Sequence, residues 1–289
     1  MVGRIVAAAI VLAMTAALVL PPPARADDEK VDLVLVLAAD ISRSVDEKKF
    51  RLQREGYASA IVDPRVVRAM TGGERGRIAL SFLEWASESE QIIVVDWTSI
   101  GGAAEAHGVA KRIREAPRTF MGRTSISAAI DYSVMLLARS PYAAPRRVID
   151  VSGDGTNNSG RPVTVARDAA VAQGVTINGL VILSEVPLPT NPLHTHPPGG
   201  LTAYYEANVI GGPGAFVLEA ESFASFGQLL VSKLIKEIAE APRRPARVTS
   251  ASGRLLTPER GSGGAEATAG NQARLVRQPS SISSMITGK

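Results

Sequence analysis

The chain has 289 residues, and hydrophobic residues make up 45% of them, a proportion typical of a globular protein and too high for a disordered one. It contains no cysteine, which excludes a disulfide framework, a thiolate-bound metal and a cysteine nucleophile. Lys and Arg number 32 against 28 Asp and Glu, a formal net charge of +4, and this basic balance indicates nucleic-acid binding only if the folded part carries it.

The first 26 residues have the pattern of a secretory signal. Arg4 gives a positively charged start, residues 5–20 are dominated by Ala, Val, Leu and Ile, and Ala24-Arg25-Ala26 is a small-residue cleavage site. The apolar run of 16 residues is shorter than the roughly 20 that a transmembrane helix needs. We therefore expect residues 1–26 to be removed as a signal peptide, and the mature protein to be periplasmic or secreted, with no stable membrane anchor.

Strand-like and helix-like segments alternate between residues 27 and 241, which we predict to form one domain. The predicted strands are 31–39, 77–85, 91–97, 148–151, 175–183 and 215–219. The predicted helices are 46–62, 64–70, 103–115, 125–138, 163–173, a short one near Tyr204, and 222–239. The four residues 87–90 are too few for a crossover helix, so the strands that they join should be antiparallel. This order predicts a doubly wound α/β fold with a mostly parallel sheet, one antiparallel edge strand and helices on both faces.

Residues 242–289 are rich in Gly, Ser, Ala, Arg and Thr and lack sustained periodicity, which predicts a disordered tail. This tail carries eight basic and two acidic residues, whereas residues 27–241 carry 22 basic and 26 acidic residues. The predicted domain is therefore mildly acidic, with a net charge of −4. Because domains that bind nucleic acid usually present a basic face, we expect no nucleic-acid partner.

Polar residues follow the carboxyl ends of the predicted strands. This is where open α/β sheets bind their ligands. Asp40, Ser42 and Ser44 follow the first strand, Thr124 precedes a helix, and Asp154 follows a later strand between two glycines. Helix capping or a turn would explain each loop taken alone. Taken together, two carboxylates and three hydroxyls offer only oxygen, the donor that hard cations such as Mg²⁺, and also Mn²⁺ or Ca²⁺, accept.

The Asp40-x-Ser42-x-Ser44 motif after a buried strand, with Thr124 and the Gly-Asp154-Gly turn, resembles the von Willebrand factor A-type (vWA) domain. More closely, the chain resembles an uncharacterised family of exported bacterial proteins that contain this domain. The resemblance covers the whole predicted domain, and the antiparallel pair of strands agrees with the one antiparallel edge strand of that fold.

The resemblance to vWA domains implies a metal-ion-dependent adhesion site. Ser42 and Ser44 would bind Mg²⁺ directly, Thr124 would bind it directly or through water, and Asp40 and Asp154 would mainly hold coordinating waters. The implied function is that of a binding module rather than an enzyme, in which the ion accepts a carboxylate from an unknown partner protein.

Two other functions stay open from the residues alone. A metal-dependent hydrolase could use Asp40 and Asp154, although no general base stands beside them in the sequence. There is also no Gly-x-Ser-x-Gly elbow and no Gly-x₄-Gly-Lys-Ser/Thr phosphate loop. The third possibility is a structural secreted protein whose metal site does not function.

Two arginines lie directly beside proposed ligands in the sequence. Arg43 and Arg123 would compete with a cation if they point inward, or would steer an acidic partner if they point outward.

The Pro-rich segment Pro187–Gly200 follows a strand end on the same rim, and we expect it to be a specificity loop. It contains His194 and His196, which we interpret as an accidental pair, since no third protein ligand is evident.

Overall fold

A six-stranded sheet lies at the centre of the computed structural model, which describes residues 29–239. The strands in chain order are β1 (Glu29–Lys30), β2 (Val34–Asp40), β3 (Ile78–Trp85), β4 (Gln91–Ile100), β5 (Tyr142–Ala143), β6 (Arg147–Gly153), β7 (Thr176–Ile182) and β8 (Val217–Ala220). The helices are α1 (Glu47–Ile61), α2 (Pro64–Thr71), α3 (Ala103–Glu115), α4 (Ile126–Ala138), α5 (Val163–Ala172), α6 (Pro192–Thr195), α7 (Leu201–Asn208) and α8 (Phe226–Ala239). The predicted signal peptide and basic tail lie outside the described residues.

The strands of the main sheet follow the order β4-β3-β2-β6-β7-β8. Every neighbouring pair is parallel except β3 and β4, which are antiparallel and leave β4 at the edge. This arrangement confirms the predicted fold class. The chain leaves β2 toward β3 on one side, and leaves β6 toward β7 on the other. The carboxyl ends of β2 and β6 therefore flank the topological switch point, where such sheets bind ligands.

Both faces of the sheet are covered by helices, as predicted. Every residue of β2 is buried: Leu35 and Leu37 pack into the cluster under α1, α2, α3 and α8, whereas Val34 and Val36 pack toward α4, α5 and α7. This burial on both faces explains why the strand is a continuous apolar run rather than an alternating pattern. Within residues 29–239, no helix is long and apolar enough to cross a membrane.

The departures from the predicted elements are local. β4 extends to Ile100, because its last residues stay paired with the start of β3 beyond a β-bulge. Strands β1 and β5 form a separate two-residue parallel pair, too short for any sequence pattern to indicate. The closing helix begins at Phe226 rather than at Ser222, since residues 222–225 form a turn held by the Ser222 and Ser225 side chains.

Candidate metal centre

The five polar residues singled out in the sequence meet at the carboxyl ends of β2 and β6. Ser44 Oγ donates a hydrogen bond to Asp154 Oδ1 (2.5 Å), and Ser42 Oγ lies 3.2 Å from Ser44 Oγ. Thr124 Oγ1 donates to Ser42 Oγ at 3.0 Å, and the Ser42 backbone N–H donates to Asp40 Oδ1 at 2.7 Å. All five residues are buried. Three loops that are distant in sequence therefore form one connected cluster of oxygen atoms.

Helix capping does not account for these side chains. The N-cap of α1 is Asp46, whose carboxylate accepts from the Lys49 backbone N–H at 2.8 Å. The N-cap of α4 is Ser125, whose hydroxyl accepts from the Ala128 backbone N–H at 3.3 Å. Dedicated neighbours cap both helices, so the hydroxyls of Ser42 and Thr124 are directed into the cluster instead.

The glycines beside Asp154 make room for neighbouring side chains, and neither has the left-handed backbone of a glycine turn. A Cβ atom on Gly153 would lie 2.6 Å from the Tyr205 hydroxyl and 3.1 Å from Asp40 Oδ2. A Cβ atom on Gly155 would lie 2.1 Å from the imidazole of His194. The two glycines beside Asp154 therefore allow close packing around Asp40 and His194. They do not form the glycine turn that the sequence alone also allowed.

Asp40 is the electrostatic centre of the cluster. Its Oδ2 atom is buried and has no hydrogen-bond partner among the described residues. Burial, together with the nearby carboxylate of Asp154, raises the pKa of Asp40 to about 8. An unpaired buried carboxylate is costly, and a cation removes that cost by favouring the charged form. The cluster therefore has the electrostatic character of a cation site.

The donor set determines which cations fit. In the described part of the chain, no group of three or more His, Cys, Asp or Glu side chains is arranged to hold a metal. An ion beside Asp40 and Asp154 would thus depend on the hydroxyls of Ser42, Ser44 and Thr124 and on water. Neutral oxygen donors with retained waters suit a hard divalent cation such as Mg²⁺.

Neither Arg43 nor Arg123 is buried in the cluster. Arg43 is exposed, and the Arg123 guanidinium donates to the backbone carbonyl of Asn158. The positive group beside the carboxylates belongs to Lys49, in the first turn of α1, whose Nζ lies 3.3 Å from Asp154 Oδ2. The inward position considered for the two arginines is therefore taken by a lysine that the sequence did not single out.

The loop between β2 and α1 is held from outside by two long side chains. Arg118 donates to the carbonyls of Ile41 (2.8 Å) and Val45 (2.7 Å), and its guanidinium lies over the Phe50 ring. Gln53 Nε2 donates to the Asp40 carbonyl at 3.0 Å. Sequence reasoning missed Arg118 because it lies about 75 positions away along the chain, and it missed Gln53 because nothing in the helical pattern shows that this side chain reaches back to Asp40.

His194 also belongs to the centre. Its side chain is 3% exposed, and its Nε2 lies 3.2 Å from Thr124 Oγ1. Burial lowers the pKa of His194, which favours the neutral imidazole. His196 is exposed and lies 3.0 Å from the hydroxyl of Thr195, so the two histidines do not share a site.

A cavity of about 200 Å³ opens over the cluster. Ser44, Thr124 and His194 form its buried part, and Arg43 and Arg123 lie at its exposed rim. The wall is completed by three residues of the Pro-rich segment, Leu188, Thr190 and Asn191. The segment expected to be a specificity loop therefore borders the candidate centre, as its place after β7 indicates.

Comparison with known proteins supplies a family and a fold. Residues 30–242 match the model of the family described as protein of unknown function (DUF1194). No curated protein sequence gives a significant match.

Among solved structures, proximal thread matrix protein 1 from the mussel byssus is 14% identical, with a TM-score of 0.54 over 74% of this chain and 49% of that one. A second structure of that protein, with a zinc-occupied MIDAS motif, is 15% identical, with a TM-score of 0.51 over 74% and 50%. The open conformation of the pilus adhesin SpaC from Lactobacillus rhamnosus GG is 14% identical, with a TM-score of 0.53 over 72% and 30%. The chain thus spans half or less of the length of these proteins, and the similarity establishes a vWA-type fold.

Proposed function

Because the chain belongs to the DUF1194 family and has a vWA-type fold, we propose that it is an exported binding module that recognises a partner protein through a divalent cation. The observation that carries the proposal is the buried cluster at the ends of β2 and β6, in which Asp40 Oδ2 has no partner among the described residues. Export rests on the signal pattern of residues 1–26.

Each residue of the cluster has a distinct proposed role. Ser42 and Ser44 hold the ion directly through their hydroxyls, and Thr124 holds it directly or through water. Asp40 and Asp154 supply negative charge and hold coordinating waters. Mg²⁺ is the preferred ion, with Mn²⁺ or Ca²⁺ as substitutes, and the mussel relative with a zinc-occupied motif supports a divalent charge. When bound, the ion supplies an open coordination position for a carboxylate of the partner.

The surface around the cavity supports a protein partner that presents an acidic residue. Arg43 and Arg123 are exposed at the rim, and positive charge there attracts an acidic group and steers its approach. Met121, in the loop before α4, is 58% exposed, and Leu193, in α6, is 64% exposed; both are next to residues that line the cavity. These two side chains offer apolar surface that a partner protein could cover when it approaches the cavity.

A hydrolase is the less favoured function, for a reason found at His194. This imidazole is the one nearest to the cluster in the described chain, and a hydrolase would use it as the general base. Both of its ring nitrogens lie within 3.3 Å of side-chain partners, namely Thr124 on one side and Thr156 and Asn158 on the other. A general base needs a nitrogen directed at substrate or water, so the contacts of His194 favour binding over catalysis.

Thermal unfolding with Mg²⁺ or Mn²⁺ tests the cation site. A ligand that binds only the native state at 100 times its Kd stabilises it by about 2.7 kcal/mol, so the melting temperature of the wild type should rise. Ser42→Ala removes a proposed ligand and should reduce the rise. Ser133→Ala is the matched control, because this buried hydroxyl bonds only within α4 to the Ala129 carbonyl, and it should keep the full rise. A wild type that does not respond to either ion would contradict the proposal.

Partner recognition is tested by capture from a periplasmic or culture extract. The mature protein should retain a partner in the presence of Mg²⁺ and release it when a chelator is added. Ser42→Ala should retain less of the same partner, whereas Ser133→Ala should match the wild type. Capture that is indifferent to both the chelator and Ser42→Ala would show that recognition does not use the cation.

A further inference from the structure

His194 is the point at which the segment between β7 and α7 attaches to the candidate metal centre. It lies on the single-turn helix α6, and its side chain is 3% exposed, in contrast to the exposed Leu193 before it. The carbonyl of His194 also accepts a hydrogen bond from the Thr156 backbone N–H at 2.9 Å. Both the backbone and the side chain of this residue are therefore held by the β6–α5 loop and by Thr124.

The amide of Asn158 sets which nitrogen of His194 carries the proton. Asn158 Oδ1 accepts from the Thr124 backbone N–H at 3.0 Å, which directs the Nδ2 amino group of Asn158 toward His194 Nδ1 at 3.3 Å. An amino group can only donate, so Nδ1 must accept. The Thr156 hydroxyl, 3.3 Å from the same nitrogen, can donate to it as well. The proton of the neutral imidazole therefore lies on Nε2.

This tautomer gives the hydrogen bonds of the centre a single direction. His194 Nε2–H donates to Thr124 Oγ1 (3.2 Å), and Thr124 Oγ1 donates to Ser42 Oγ (3.0 Å). Ser42 then donates to Ser44 (3.2 Å), because the Ser44 proton is directed to Asp154 (2.5 Å). Each hydroxyl donates once and accepts once, which leaves one lone pair on each oxygen free for a cation.

We propose that His194 is a positioning residue for the cation site: its Nε2–H holds the Thr124 hydroxyl oxygen, and so links the segment between β7 and α7 to cation affinity. This inference rests on the proposed function, since it assigns a role toward the same cation. His194 itself does not bind the ion, because its Nε2 carries the proton and its Nδ1 faces two donors. A partner that moves this segment changes the hold on Thr124, so partner binding and cation binding are coupled.

The first test reads the tautomer in the metal-free protein. Nitrogen-15 NMR of the imidazoles should show His194 protonated at Nε2 and unprotonated at Nδ1. Asn158→Asp replaces the amino group by an acceptor, and it should shift the proton of His194 toward Nδ1. A wild-type His194 that is protonated at Nδ1 would overturn the proposal, whether or not the protein binds a cation.

The second test measures Mn²⁺ and Zn²⁺ affinity by titration calorimetry. His194→Ala should lower the affinity for both ions by about 10- to 100-fold, the usual effect of losing a group that orients a metal ligand. His194→Gln should restore most of the affinity, since its amide can donate to Thr124. His196→Gln is the matched control and should bind both ions like the wild type, because His196 is exposed and outside the centre.

A steric variant perturbs the same contact without changing His194. Gly155→Ala places a methyl group 2.1 Å from the imidazole, which forces the ring away, and the backbone of Gly155 does not need glycine. It should weaken Mn²⁺ binding as His194→Ala does. Circular dichroism of both variants should match the wild type, which separates loss of the contact from loss of the fold.

The outcomes distinguish this inference from the proposed function. A wild type that binds neither ion overturns the proposed function, and with it any role in cation affinity. If His194→Ala binds both ions as tightly as the wild type does, the role of His194 is overturned and the proposed function is not. Loss of Zn²⁺ affinity without loss of Mn²⁺ affinity, or nitrogen-14 coupling to bound Mn²⁺ in pulsed EPR, would instead identify His194 as a direct ligand.

Discussion

The ammonium group of Lys49 lies 3.3 Å from Asp154 Oδ2, inside the cluster proposed to hold a cation. It also donates to the Ser44 carbonyl at 3.0 Å and to the Ser184 hydroxyl at 3.3 Å, and it lies 5.2 Å from the centre of the Phe223 ring. One lysine thus connects the loops after β2, β6 and β7. Since Lys49 offsets the charge of Asp154, it stabilises the cluster when no ion is bound and opposes an ion that approaches the same carboxylate.

Lys49→Met should therefore raise the affinity for Mg²⁺ and Mn²⁺. The side chain of Lys49 is 26% exposed, so solvent weakens the repulsion, and we expect a gain of about three- to tenfold. Titration calorimetry measures the change. Lys48→Met is the matched control, because Lys48 is exposed on the same turn of α1. The affinity of this variant for Mg²⁺ and Mn²⁺ should stay at the wild-type value. Weaker cation binding by Lys49→Met would mean that the lysine supports the site rather than competing with it.

Asp46→Ala should separate helix capping from cation binding. The Asp46 carboxylate caps α1 through the Lys49 backbone N–H, and losing such a cap costs about 1 kcal/mol of unfolding free energy. Cation affinity should change little, because Asp46 is exposed and outside the cluster. Asp63→Ala, which removes the cap of α2, should cost a similar amount. Urea unfolding and Mn²⁺ titration measure the two effects, and a large loss of affinity in Asp46→Ala would contradict their separation.

The main features of the fold and of the centre were predictable because both depend on chain order. Buried strands with a short link required an antiparallel pair, and parallel strands bring Asp40 and Asp154 to the same edge of the sheet. Lys49, Arg118 and His194 were not predictable as parts of the centre, because their roles depend on the direction in which long side chains reach between distant loops.

The two directions left open for Arg43 and Arg123 illustrate the same limit. Both flank proposed ligands in sequence, and both are exposed at the rim of the cavity rather than buried in the cluster. Adjacency along the chain located the residues but did not give the direction of their side chains.

Arg54→Met should be strongly destabilising. Arg54 forms two 2.8 Å hydrogen bonds with Glu84, and both side chains are almost fully buried. Removing one partner leaves a buried carboxylate without its counter-ion, which costs about 3–5 kcal/mol. The matched control is Arg114→Met, which breaks a comparable two-bond pair with Glu55 at the surface and should cost less than about 1 kcal/mol. Equal losses in urea unfolding would mean that burial does not determine the contribution of these pairs.

A buried charged cluster on the α8 side of the sheet should make stability depend on pH. Lys233 Nζ lies 2.6 Å from Asp150 Oδ1 and 3.4 Å from Glu237 Oε1, and all three side chains are fully buried. Burial, together with the charge of Asp150, raises the pKa of Glu237 to about 7 from its ordinary value of 4.5. The folded protein therefore holds this proton more tightly than the unfolded chain does. Its contribution to the free energy of unfolding is fully present below about pH 4.5 and is lost as the pH rises to about 7.

Glu237→Gln isolates this contribution from that of Asp40, whose raised pKa acts in the same direction. The variant has no proton to lose, so its free energy of unfolding should fall less steeply than that of the wild type between pH 5 and about 7.5, the range set by the shifted group. Urea unfolding at several pH values gives both slopes. The exposed Glu206→Gln is the control and should keep the wild-type slope. Parallel wild-type and Glu237→Gln curves would mean that Glu237 stays ionised in the folded protein, because the ammonium of Lys233 then outweighs burial and the repulsion of Asp150.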